Sequence, residues 1–173
     1  DELEFEEYMD LLAEAVGNNP DIVAGPDYAL AFMKGEKEKV DFDFRPKVVH
    51  KLEQISRVSP KTLIIPGTGP VLLIGRRMGH SAPVFRNGKQ IAEFFKETDY
   101  TESRLARANG LEYGKGDSRK NKLIHQGRKI AVEICGDHGK QPINRDTFLE
   151  VICAYDDNAG FYIRANNNQF SRY

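Results

Sequence analysis

The dipeptide Asn87-Gly88 restricts this chain more than any other two residues. Both residues tolerate positive φ, and they stand between two apolar-rich runs at 81–85 and 90–95. That combination predicts a tight type I′ hairpin, which commits the middle of the chain to antiparallel sheet. The flanking sequence then has to supply the layers that cover it. Phe5, Tyr8, Met9, Leu12, Ala15 and Val16 recur at three- and four-residue intervals, so an amphipathic helix is expected there, ended by Gly17-Asn18-Asn19-Pro20. A short buried strand follows at 21–25, then a charged surface loop at 34–45. A second helix is expected at 46–58, with Val48, Leu52 and Ile55 on one face.

After Pro60 the pattern turns to strands, at 62–65 and 71–75 and then in the hairpin. Residues 105–122 read as a long polar connection. A second strand pair is expected at 122–125 and 129–135 across Gln126-Gly127. Further apolar runs lie at 147–155 and 161–164. This alternation points to a mixed α/β protein. At 173 residues, a single domain spanning 1–173 is the expectation.

Composition removes several function classes. The formal net charge is −1, so there is no basic excess to grip nucleic acid or an anionic membrane. No apolar run is long enough to cross a bilayer, and the acidic N-terminus does not read as a signal peptide. Two cysteines, Cys135 and Cys153, give no disulfide framework, and a reduced cytoplasmic setting is expected. No His/Cys cluster has zinc spacing, and no glycine-rich phosphate loop follows a strand. His50, His80 and His125 show no ligand spacing and are read as incidental.

The segment Ala131-Val132-Glu133-Ile134-Cys135-Gly136-Asp137-His138 carries the most chemical information. A β-branched run stops abruptly at Cys, Gly and Asp. A cysteine at a strand end can face a cleft beside free backbone N–H groups, which suits a thiol nucleophile next to an oxyanion site. Taken alone, the motif favours an inert buried core thiol at Cys135, since cysteine is among the most buried residue types.

Five segments in order resemble the carbon–nitrogen hydrolase (nitrilase) family. Asp21-Ile22-Val23-Ala24-Gly25-Pro26-Asp27-Tyr28 looks like its strand leading into Pro-Glu, and Pro66-Gly67-Thr68 like the turn after its next strand. The run from His80-Ser81-Ala82 to Asn87-Gly88-Lys89 is similar to its Asn-Ser-Ala hairpin. Phe94-Phe95-Lys96 resembles the strand end that presents a lysine, and Gly127 to Cys135 the strand that carries the nucleophile. The resemblance implies a four-layer α/β/β/α sandwich of mixed sheets, with the C-terminal part missing or shortened. It implies a catalytic set of Cys135 as nucleophile, Asp27 as base, Lys96 and Glu102, with Glu112 a second candidate for the last position. Gly136 is expected to supply a backbone N–H beside the substrate, and His138 to assist at the rim or to be a helix N-terminal or packing residue.

The chemistry so implied is thiol-dependent cleavage of an amide or nitrile through a thioester, with no cofactor and no metal. Lys96 is expected to help hold Cys135 as a thiolate and to stabilise the oxyanion. The partners implied are a small-molecule substrate and a second copy of the chain in a homodimer. One departure stands out, because the family has Glu where this chain has Asp27. On a fixed backbone the shorter carboxylate falls about 1.3 Å short, and misplacement of that order can cost ~10²-fold in rate. A catalytically silent binding domain is therefore the alternative reading.

Overall fold

The computed structural model describes residues 2–34, 39–137 and 147–154. In chain order the elements are α1 (Glu2–Gly17), β1 (Ile22–Ala24), β2 (Met33–Lys34), β3 (Lys39–Val40), α2 (Arg45–Val58), β4 (Leu63–Ile65), β5 (Gly69–Leu73), β6 (Arg77–Arg86), β7 (Lys89–Phe95), α3 (Glu102–Ala108), β8 (Glu112–Tyr113), β9 (Lys122–His125), β10 (Arg128–Ile134) and β11 (Leu149–Cys153).

Strand β6 organises the first sheet. Along one edge it pairs antiparallel with β5 at its start and with β4 at Phe85; on the other it pairs with β8 and then β7. β1 adds to β4 in parallel, with Val23 opposite Ile64. The β6–β7 turn adopts φ 51° at Asn87 and 75° at Gly88, the geometry that Asn-Gly favours. Gln126-Gly127 makes the same kind of turn between β9 and β10, at φ 49° and 75°. β11 then lies parallel to β10, completing a second sheet of three strands.

Strand alternation decides which side chains each layer receives. Ile64 and Phe85 face outward from the first sheet and pack on Phe5, Met9, Leu12 and Val16 of α1 and on Val48, Leu52 and Ile55 of α2. Leu63, Ile65, Ala82, Val84 and Phe94 face the other way. They pack on Ile130, Val132, Ile134, Val151 and Cys153 of the second sheet. Full burial of each such Val or Ile is worth about 1.5–3 kcal/mol, so this inter-sheet contact fixes the ends of β7, β10 and β11 relative to one another. The described residues thus form three layers, α/β/β, and no outer helix on the second sheet lies among them.

Several expectations need adjusting. The supposed loop at 34–45 contains the β2–β3 pair and a 3-10 turn at Phe42–Phe44. The strand expected at 71–75 begins at Gly69 and ends at Leu73. The long polar connection holds α3 and β8. The strand expected at 161–164 lies outside the described residues, as does His138.

Candidate active site

Strand ends from both sheets meet at one place. Asp27 follows β1 by three residues, and its backbone N–H donates to the carbonyl of Ala154, just past β11, at 3.2 Å. Thr68 lies in the turn between β4 and β5. Lys96 follows β7, and its N–H extends the β6–β7 ladder by donating to the His80 carbonyl at 2.9 Å. Lys96 falls in phase with Phe94, on the face turned toward the second sheet. Cys135 follows β10. Simple alternation would send its side chain away from the face of Ile134. Instead the chain leaves the strand there at φ 47°, and the thiol comes within electrostatic reach of Asp27 and Lys96. A non-glycine residue in the left-handed region costs roughly 1–3 kcal/mol and persists only where its surroundings impose it. Tyr28, next to Asp27, is held the same way at φ 59°.

Asp27 is 4% exposed. Its Oδ1 accepts from the Thr68 hydroxyl, from His80 Nε2 at 2.8 Å and from the Tyr28 N–H at 3.2 Å. These donors converge on one oxygen and leave Oδ2 outside the cradle. Burial pushes the Asp27 carboxyl upward, but the hydrogen bond and charge from His80, then Thr68 and Lys96, outweigh it and hold the group below its ordinary value. Asp27 therefore stands ionised beside Cys135.

Lys96 is fully enclosed and pairs with Glu102 Oε1 at 2.5 Å. Desolvation alone would lower the ammonium; the Glu102 hydrogen bond and charge, helped by Asp27, raise it instead. Glu102 opens α3. Its Oε2 accepts from the backbone of Tyr100 at 2.9 Å and of Thr101 at 3.2 Å, and Oε1 also accepts from the Tyr28 hydroxyl at 3.1 Å. Burial acts upward on Glu102, and Lys96 with these N–H groups brings it below the ordinary carboxylate range. Glu112, the other candidate, lies in β8 and pairs with Arg77.

The expected resting thiolate is corrected by these surroundings. Burial comes first and the Asp27 charge second, and together they raise Cys135 despite the opposing Lys96 and the Gly136 N–H. The resting pair is a neutral thiol beside a carboxylate, the protonation pattern that a general base requires. Gly136 also lets an aromatic ring close over the turn: a Cβ there would lie 2.0 Å from Tyr100 Cε2. The Tyr100 ring in turn stands 5.8 Å from Lys96 Nζ. Both cysteines are free. Cys153 is fully buried, and burial pushes its thiol up to about 12.

The structure thus gathers Asp27, Lys96, Glu102, Cys135 and Gly136. Sequence reasoning missed three companions: Thr68, Tyr28 and His80. One signal was available for His80, which stands in a run of consecutively buried strand residues. An imidazole there needs a polar partner.

Solved structures of an amidase from Nesterenkonia match this arrangement of strands and helices. One mutant of the Nesterenkonia AN1 amidase, described as a member of the nitrilase superfamily, superposes with a TM-score of 0.69 at 14% identity, over 92% of this chain and 62% of that chain. The chain has the nitrilase-superfamily fold. A second structure of that amidase, at TM-score 0.68 and 14% identity over 90% of this chain and 62% of that one, carries the acetamide moiety of fluoroacetamide added covalently at the active-site cysteine. A third, in complex with butyramide, superposes at 0.68 and 15% identity over 92% and 62%. This chain spans about 62% of the length of those structures. No protein-family model matches the sequence, and no curated protein does. No described helix is long and apolar enough to cross a membrane, and no group of metal-ligating side chains occurs among the described residues.

Proposed function

We propose that this chain is a thiol-dependent hydrolase that cleaves the carbon–nitrogen bond of a small amide or nitrile. The observation that carries this reading is the Cys135 thiol at a left-handed strand end, with the buried carboxylate of Asp27 and the buried ammonium of Lys96 within electrostatic reach. As the Sγ–carbon bond forms on an amide carbonyl, Asp27 takes the thiol proton. The developing oxyanion is held by the Lys96 ammonium and the Gly136 N–H, donors already fixed in a partly desolvated site. Collapse of the tetrahedral intermediate breaks the C–N bond, and Asp27 returns the proton to leaving ammonia or amine. Asp27 then takes a proton from water as that water attacks the thioester. Glu102 keeps Lys96 charged and aimed. A nitrile would follow the same route through a thioimidate.

The butyramide complex and the fluoroacetamide adduct of the Nesterenkonia amidase support an amide as the first substrate to try. Incubating the chain with fluoroacetamide and measuring intact mass tests the nucleophile. One adduct on Cys135, absent from Cys135→Ala, is expected. An unreacted Cys135 would favour a catalytically silent binding domain. The same reading includes self-association. Ile124 and Phe148 are exposed on the second sheet, and apolar surface of this kind favours pairing with another copy. Sedimentation at micromolar concentration should give a dimer, and a monomer that persists as concentration rises would rule it out.

A further inference from the structure

His80 is completely buried in the middle of β6, and the chemistry above gives it no part. Its Nε2 lies 2.8 Å from Asp27 Oδ1 and 2.7 Å from the Thr68 hydroxyl oxygen. Its other ring nitrogen, Nδ1, is buried with no hydrogen-bond partner. A proton on Nδ1 would be an unsatisfied buried donor, at a cost of about 1–3 kcal/mol. The imidazole therefore presents its Nε2–H to the carboxylate as a donor. The Tyr28 ring, 4.4 Å away between centroids, fixes its plane. The Tyr28 N–H meanwhile donates to Thr68 Oγ1 at 2.9 Å, so His80, Thr68 and Tyr28 form one cradle under a single carboxylate oxygen.

We propose that His80 is a positioning residue: its Nε2–H fixes the Asp27 carboxylate so that Oδ2 meets the Cys135 thiol, replacing the reach that a longer carboxylate would have. The proposal rests on the hydrolase reading for its biological meaning, but its physical content is the coupling of His80 to thiol reactivity. Asp has two side-chain torsions, and a buried carboxylate with no fixed donor could turn toward Lys96 instead. Anchoring Oδ1 by three donors removes that freedom. The ionisable groups around Asp27 are His80 from β6, Lys96 after β7, Cys135 after β10, Cys153 from β11 and Tyr28 beside it. Of these, His80 is the one that holds Asp27 through Oδ1.

The test is the rate of Cys135 addition to acrylamide as a function of pH, read by intact mass. In that reaction the S–H bond breaks toward Asp27, sulfur bonds to the β-carbon of acrylamide, and the proton ends on the α-carbon. A placed base gives a pH-independent plateau between about pH 6 and 8, below the rise that marks free thiolate. His80→Gln keeps an amide N–H near the Nε2 position and is expected to keep the plateau within about threefold. His80→Leu fills the space without a donor and is expected to lower the plateau at least tenfold while leaving the thiolate limb in place. If His80→Leu does not fold, His80→Asn replaces it: its amide stops short of Asp27, and the same loss is expected. Thermal unfolding is measured alongside each variant. A plateau unchanged in a folded Leu or Asn variant overturns the proposal, as does a Gln variant that loses it. Amide turnover by the unaltered chain is measured separately. Its absence would refute the hydrolase reading, while the acrylamide profiles would still decide the role of His80.

Discussion

Lys96 Nζ and Glu102 Oε1 stand 2.5 Å apart with neither side chain meaningfully exposed. A buried pair of this kind holds a cation largely out of reach of solvent screening. Removing one partner leaves the other charge uncompensated, which costs about 3–5 kcal/mol. Lys96→Met should therefore lower both stability and turnover, with the loss of stability read by urea unfolding. A change below about 1 kcal/mol, typical of exposed pairs, would mean that the pair is solvated.

Asp27 gives a prediction opposite to the one that side-chain length suggests. A base that falls short should gain from lengthening. In the structure the Asp27 carboxylate lies within electrostatic reach of the thiol and is anchored by Thr68, His80 and Tyr28. An added methylene displaces it from that cradle by about an ångström, enough to cost ~10²-fold. Asp27→Glu should lower single-turnover amide cleavage. A gain above twofold would show that the anchored position is not the working one.

The acid limb of the kcat/KM profile follows from the same carboxylate. Asp27 and Glu102 are both held below their ordinary values. A folded-state value below the unfolded one contributes stability that is complete above the unfolded value and fades as pH falls through the folded one. Activity and stability should accordingly persist at and above pH 5 and decline together only below about pH 4. An acid limb near pH 6 would assign the base to another group.

The two thiols should separate cleanly. Cys135 is partly exposed, while Cys153 is fully enclosed and burial pushes its thiol up to about 12. Limited iodoacetamide should modify Cys135 first, as peptide mapping would reveal. Labelling of Cys153 ahead of Cys135 would contradict the site.

What the sequence disclosed and what it hid have a common physical origin. Asn87-Gly88, Gln126-Gly127 and the Phe5–Val16 periodicity announce themselves because turn chemistry and amphipathic faces are local. Helix α3 gave no such sign, because it has seven residues and buries only Glu102, Leu105 and Ala106; too little apolar face is present to set a period. At the site, Asp27, Lys96, Glu102 and Cys135 were legible through motifs in order. His80 was passed over because its meaning lies in a partner 53 residues away, and histidine spacing carries no record of that contact. The thiolate expectation failed for a similar reason. Lys96 was visible as a cation, but the burial that raises Cys135 belongs to the packed sheets.

The most direct measurement is to quench the chain during turnover of butyramide and read intact mass together with released ammonia. A butyryl group on Cys135, formed at the rate of ammonia release and absent in Cys135→Ala, is the result expected of a thioester-forming hydrolase. Ammonia no faster than from Cys135→Ala, with an unmodified Cys135 throughout, would contradict it.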